Sequence, residues 1–268
     1  MRLEVLLSCM HQTDASLIQK LGISGDAVII NQSDREEYAE FVMQDKNIRM
    51  HTTRERGLTK SRNMAIAMSR ADICLLCDDD ERLCVGYEEI ILKAYEMNPR
   101  ADVLIFRVRG LYSSLGTRAC RLRFPKTMKV SSVQISFRRE SLLKAGVGFD
   151  PLLGAGSGYG AEEELKFLLD CQRAGLRIFY VPQEIASLQG SESTWFTGFD
   201  TRFFENRGTT TRYILGPWLA ALYAFYYVLR KRKLYGKYIT PAAALRASLR
   251  GIRRDAIGKK LKSEKQEP

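Results

Sequence analysis

Short apolar runs alternate with segments of helical periodicity through the first part of the chain. LEVLLSC (3–9), AVIINQ (27–32), IRMHTT (48–53), ICLLC (73–77) and VLIFRVRG (103–110) read as strands. ICLLC is continuously apolar, the pattern of a strand covered on both faces. Helical stretches are expected from about Asp14 to Leu21, in the run before IRMHTT, in LTKSRNMAIAMSR (58–70) and in GYEEIILKAYEMN (86–98). In 58–70, Leu58, Met64, Ala65 and Met68 fall on one helical face, away from Lys60 and Arg62. Strands alternating with helices predict an α/β domain with a mostly parallel central sheet. Ligands of such sheets gather at the carboxyl ends of the strands. Asn31-Gln32 and Asp78–Asp80 both lie at such ends.

The second of these ends is chemically unusual. ICLLC runs directly into Asp78, Asp79, Asp80 and Glu81, four adjacent carboxylates that repel one another. Either they cap the helix beginning near Gly86, or they hold a cation. One aspartate would serve as a cap. Carboxylates at a strand end are hard oxygen ligands suited to Mg²⁺ or Mn²⁺ bridging to substrate phosphates, with Asp78 and Asp80 on the ion and Asp79 turned to backbone or sugar hydroxyls. The chain has no G-x-x-x-x-G-K-[ST] loop, which argues against a nucleotide hydrolase. A basic stretch, RERGLTKSRN (54–63), sets Arg54, Arg56, Lys60 and Arg62 around Gly57 before a helix, where anions are favoured. A solvated basic face is the other reading of it.

These motifs together resemble glycosyltransferase family 2, inverting enzymes of the Rossmann-like A-type nucleotide-sugar fold. G-L-T-K-S-R-N (57–63) is similar to the family's G-x-x-x-A-R-N, with Gly57, Arg62 and Asn63 matching and Ser61 in place of Ala. DICLLCDDD (72–80) is similar to its strand ending in an aspartate motif for the donor's divalent metal. GAGSGYGAEEELKFLLDCQRAGLRIFYVP (154–182) looks like its acceptor loop, acidic pair, helix and strand. The resemblance covers roughly residues 1–195. It implies a nucleotide-diphosphate sugar donor, a UDP-sugar first among them, and Mn²⁺ or Mg²⁺ on Asp78 and Asp80. It also implies donor contacts from Asn31, Gln32, Gly57, Arg62, Asn63, Asp78 and Asp79, and a catalytic base among Glu163 and Glu164, with Glu164 the family's position. The acidic first turn of a helix is the competing account of Glu162–Glu164. Two departures stand out: D-D-G-S after the second strand reads Asn31-Gln32-Ser33-Asp34, and no histidine occurs in 185–196.

Charge changes the picture at the other end. The formal net charge is +11 over 268 residues. From Arg230 to Pro268 there are 13 Lys/Arg and 3 Asp/Glu, or +10, which leaves 29 against 28 before it, or +1. Such a split points to an anionic partner of the tail. Between Arg212 and Arg230 no residue is charged, and Pro217 suits a helix start. That helix is expected to pack on the domain, to lie shallowly in a membrane interface through Tyr213, Trp218, Tyr223, Tyr226 and Tyr227, or to span. RKRKLYGKY after it favours an anionic membrane surface. The expectation is therefore a catalytic domain at 1–195 and a basic, helical, membrane-associating region at 196–268. The start lacks a signal-peptide pattern, and the six scattered cysteines suit buried free thiols in a reducing cytoplasm. The enzyme would act peripherally on the inner face of the cell membrane, on a glycan or polyprenyl-linked acceptor of surface polysaccharide synthesis. Two rivals remain: a sugar-nucleotide pyrophosphorylase, which needs a glycine-rich basic loop that SCMHQTDAS (8–16) lacks, and a nucleic-acid-binding module. The latter needs aromatic groups among the tail's charges, where only Tyr235 and Tyr238 qualify, so no nucleic-acid partner is expected.

Overall fold

A computed structural model describes residues 1–43, 45–111, 115–160, 162–189, 198–258 and 261. The chain divides into two compact units, Met1–Pro151 with Glu163–Ser191, and Leu152–Glu162 with Glu192–Pro268.

The first unit runs β1 (Leu3–Met10), α1 (Leu17–Leu21), β2 (Asp26–Gln32), β3 (Glu37–Met43), β4 (Lys46–Thr53), α2 (Leu58–Met68), β5 (Ile73–Asp78), β6 (Glu81–Leu83), α3 (Tyr87–Met97), β7 (Val103–Arg109), β8 (Cys120–Leu122), β9 (Ile135–Arg138), α4 (Arg139–Ala145), α5 (Glu163–Arg173) and β10 (Ile178–Leu188). Among the described residues its ten strands form one mixed sheet in the order β3-β4-β2-β1-β5-β9-β7-β10-β6, with β8 also paired to β10. β1, β2, β4, β5, β7 and β10 run in one sense, so most strands are mutually parallel even though antiparallel neighbours separate them. This is the expected α/β class.

Both faces of the sheet are covered, which is why ICLLC needs no polar side. Leu75 and Cys77 face the core that contains Leu17 and Leu21 of α1 and Tyr87, Ile91 and Tyr95 of α3. Cys74 and Leu76 face the opposite core with Ala65 and Ile66 of α2, Leu142 of α4 and Phe167 of α5. Cys74 and Cys77 are therefore on opposite faces, and all six cysteines are free thiols. The parallel register sets Ser8 beside Asp78 and Met10 beside Gln32, bringing β1, β2 and β5 to a common carboxyl edge.

One expected helix is a strand. The run before IRMHTT forms β3, which pairs antiparallel with β4. Its charged residues suggest a helix, but Ala39, Phe41 and Met43 are partly covered while Glu40 and Val42 are exposed. That alternation has period two. With a strand here instead of a crossover helix, the sheet keeps a groove of about 450 Å³ between α1 and β3, walled by Phe41, Met43 and Met50.

The second unit holds α6 (Thr201–Leu215), α7 (Pro217–Arg230), α8 (Arg232–Tyr235) and α9 (Pro241–Arg254). Pro217 begins α7, as its fixed φ and missing N–H favour. Glycines let α6 and α9 meet backbone to backbone: a Cβ on Gly208 would lie 2.1 Å from the Ser248 carbonyl oxygen, and one on Gly251 2.0 Å from that of Glu205. Phe204, Val228, Tyr235, Ala244 and Ala247 form its core. Among the described residues no helix is long and apolar enough to cross a membrane, which removes the spanning alternative for α7.

Candidate active site

Gly57 opens α2 with φ +122°, a conformation that disfavours any side chain. Its N–H donates to Gln32 Oε1 at 2.7 Å, tying this turn to the end of β2. One turn into the helix, Ser61 donates to Ser8 of β1 at 2.9 Å. Arg62 follows, with its side chain only 1% exposed. Its Nη2 donates to both Asp78 oxygens at 3.1 and 3.0 Å, and its Nη1 to Glu163 Oε1 at 3.2 Å. The guanidinium lies 5.3 Å from the centroid of the Phe149 ring, which stacks on Phe167 of α5. Burial alone would lower the Arg62 pKa, but Asp78 and Glu163 outweigh it and hold the group firmly charged. Arg62 therefore connects the strand-end acids to the first turn of α5.

The four acids separate by direction. Glu81 turns inward and is wholly buried, its Oε1 accepting the Asp78 N–H at 3.0 Å. Burial, and then the Asp78 charge, push its carboxyl well above the usual range, which favours the neutral acid. Asp78 takes Arg62 and a hydrogen bond from Ser132 at 3.3 Å. Asp79 and Asp80 form the turn between β5 and β6, and the Asp80 carbonyl accepts from the Gln189 N–H at 3.0 Å. Loss of surrounding water raises both carboxyls, and Asp78 raises them further. The cap reading fails on position. The N-cap of α3 is Gly86, and the acids in its first turn are Glu88 and Glu89.

The three glutamates at the start of α5 also separate. Glu162 belongs to the second unit, where Arg207 Nη2 lies 2.7 Å from its carboxylate. Glu163 is engaged by Arg62 and 8% exposed. Glu164 remains partly exposed and close enough to Arg62 to stabilise its charge. Glu162 and Glu164 are thus both partly exposed, and of these two Glu164 lies in the first unit.

Several residues expected on a ligand are instead fastened to the fold. Asn31 is fully buried, its Nδ2 donating to the Gln12 carbonyl at 2.8 Å and Thr52 Oγ1 at 3.2 Å, and its Oδ1 accepting from the Gln12 N–H at 2.9 Å. It shapes the loop after β1 and presents no free amide to a nucleoside. Gln32 holds Gly57. Asn63 clamps the Phe149 backbone through both ends of its amide, each at 2.8 Å. The basic stretch is largely internal as well: Arg56 donates to the Ser33 carbonyl at 2.8 Å and pairs with Asp34, while Lys60 pairs with Glu55. Only Arg62 of that stretch reaches the acids. Ser132, Phe149 and Lys20, which weakens the upward shift at Asp79, escape sequence reading because none sits in a motif. A hollow of about 160 Å³ beside Asp79 is lined by Gln12, Ser16, Leu17 and Lys20, and Ser16 also borders the larger groove along β3.

The residues present suit a divalent cation shared with a ligand. Among the described residues, no group of three or more His, Cys, Asp or Glu side chains is arranged to hold a metal by itself. Asp79 and Asp80, both destabilised as carboxylates, nevertheless leave the edge with excess negative charge that Arg62 and Lys20 do not balance. A hard divalent ion would fit that excess.

No protein-family profile matches the chain, and no curated protein matches it significantly. Solved structures do. The structure of TarS from S. aureus aligns with a TM-score of 0.57 at 14% identity over 85% of this chain and 40% of that one. TarS residues 1–349 in complex with UDP-GlcNAc align at 0.55 and 15% identity, covering 83% of this chain and 66% of that one. The mannosyltransferase PcManGT from Pyrobaculum calidifontis, in complex with GDP-Man and Mn²⁺, aligns at 0.54 and 13% identity over 95% and 87%. The chain thus spans less than half of the TarS chain first named. At these identities the likeness shows a shared α/β fold.

Proposed function

We propose that this chain is an inverting glycosyltransferase of the family 2 type. It moves a sugar from a nucleotide-diphosphate donor to a glycan acceptor, lipid-linked and destined for surface polysaccharide. The observation that carries the reading is the Arg62 bridge. One buried guanidinium engages Asp78 of the strand-end acids and Glu163 of the glutamate pair, so donor-side and acceptor-side groups share one constellation in the first unit.

Catalysis is assigned to residues 1–195. The nucleoside lies along the edge bounded by the loop after β1 and the Arg35 side of the groove. Asp80, with Asp79 or Asp78, would hold Mn²⁺ or Mg²⁺ when a donor is bound. Such an ion supplies charge neutralisation at the leaving nucleotide. Arg62 keeps Asp78 and Glu163 in register, and Glu164 takes the proton of the acceptor hydroxyl as it attacks the anomeric carbon from the side opposite the diphosphate. A UDP-sugar is the first donor to test, with GDP-sugars beside it because both nucleotides occupy the similar folds.

Glu164→Gln preserves size and removes the base. Donor affinity measured by calorimetry should stay near wild type while turnover falls about 100- to 10,000-fold. A Glu163→Gln enzyme that shows this split, with Glu164→Gln unaffected, would move the base by one residue. Full turnover in both variants would leave the pair as a helix-dipole feature and end the assignment.

A further inference from the structure

The outward face of α7 is built the wrong way round for a helix in water. Ala220, Ala224 and Val228 are buried, while Trp218, Leu219, Leu222, Phe225, Tyr226 and Leu229 are exposed. At 100° per residue the exposed set occupies an arc of about 120°. Small side chains thus face the core of the second unit and large apolar ones face out. Tyr223 and Tyr227, also expected at an interface, turn inward around Arg207, whose guanidinium lies 4.1 Å from the Tyr227 centroid and donates to Tyr223 at 2.6 Å. Leu234 and Tyr238 extend the exposed apolar surface past the helix end.

The chain around this helix is rich in cations and free of acids in sequence. Between Glu205 and Asp255 the sequence contains no Asp or Glu. Arg230, Arg232, Lys233 and Lys237, with Leu229 and Gly236, line a hollow of about 590 Å³ at the end of α7. Tyr235, one of two tyrosines that a nucleic-acid reading would use, is buried in the core, with its hydroxyl donating to the Val228 carbonyl.

We propose that α7 lies in the plane of an anionic lipid surface, with Trp218, Leu222, Phe225 and Leu229 in the acyl boundary and the basic hollow on headgroup phosphates. The helix has 14 residues, or about 21 Å. That is short of the roughly 30 Å hydrocarbon core, so it lies along the interface. A second copy is disfavoured because the contact would set the same acid-free cationic surface against itself. The proposal is independent of the chemistry assigned to the first unit.

The test uses the full chain and vesicles of phosphatidylglycerol with phosphatidylcholine, or of phosphatidylcholine alone. Co-sedimentation should favour the anionic vesicles strongly, and molar salt should release only part of the protein. Trp218→Ser/Leu222→Ser/Phe225→Ser, all exposed positions, should remove the salt-resistant part while circular dichroism stays unchanged. Arg232→Gln/Lys233→Gln/Lys237→Gln should weaken binding at low salt about 10- to 100-fold. Complete release of wild type by salt, or equal binding to both vesicle types, would overturn the proposal. So would an apolar variant that sediments like wild type. If that variant only converts a dimer to a monomer in light scattering, without changing sedimentation, the occupant is a second copy. Tight RNA binding with none to vesicles would equally refute a lipid surface.

Discussion

At the scale of single residues, Asp80 is where ionisation opposes the fold. Its carboxyl is raised by burial first and by Asp78 second. A carboxyl whose pKa is higher in the folded chain contributes stability in acid, and loses that contribution as pH rises through the raised value. Asp80→Ala removes the charge at every pH. In the presence of chelator it should therefore melt higher than wild type near neutral pH, and the advantage should shrink as pH falls through the raised value and be gone below about pH 4, where the aspartate is protonated in folded and unfolded chains alike. A variant that melts lower at neutral pH would mean that Asp80 already has a stabilising partner in the apo chain. The same cluster marks how far sequence reading goes. The excess of acid at a strand end is visible in the letters DDDE. Their division is not: Glu81 alternates inward on β6, Asp78 meets Arg62, and Asp79 and Asp80 form the turn that follows. Asn31, Gln32 and Asn63 were legible as special positions, yet their amides hold loops, because burial and partner identity depend on chain segments far away in sequence.

At the scale of elements, packing between α6 and α9 offers a direct test of the second unit. Alanine for glycine inside a helix ordinarily gains about 1 kcal/mol from propensity. At Gly251 the added carbon would sit 2.0 Å from the Glu205 carbonyl oxygen, and backbone cannot rotate away as a side chain can. Overpacking of this kind costs roughly 1–3 kcal/mol, so the clash outweighs the propensity. Gly251→Ala should lower the thermal midpoint of the full chain; a raised midpoint would show that the helices separate freely. Elements with continuous or strongly periodic patterns, such as β1, β2, β5, β7 and α3, were readable from the sequence. β3 reads as a helix because Glu37 and Glu40 mask a two-residue alternation. The short strands β6, β8 and β9 carry too few residues for any period to register, and they owe their form to neighbours in the sheet.

At the scale of the whole molecule, the first unit contains the mixed sheet with its acids and Arg62, while the second contains the aromatic and cationic surface of α7. The near-neutral body and cationic tail in the sequence foreshadow this division. The sequence could not foretell that residues 152–162 would group with the tail, since that depends on Glu162 finding Arg207. The central claim concerns chemistry at the first unit, and slow donor hydrolysis tests it without knowledge of the acceptor. The purified 268-residue chain is incubated with a panel of UDP- and GDP-sugars, with Mn²⁺ or with chelator, and release of nucleoside diphosphate is followed beside the Asp80→Ala variant. The account predicts that at least one sugar nucleotide is hydrolysed in Mn²⁺, and that chelator or Asp80→Ala abolishes the release while the variant remains folded. Hydrolysis that persists undiminished in both would contradict the acid cluster as the donor site, and a folded wild-type protein that neither binds nor hydrolyses any member of the panel would contradict glycosyl transfer itself.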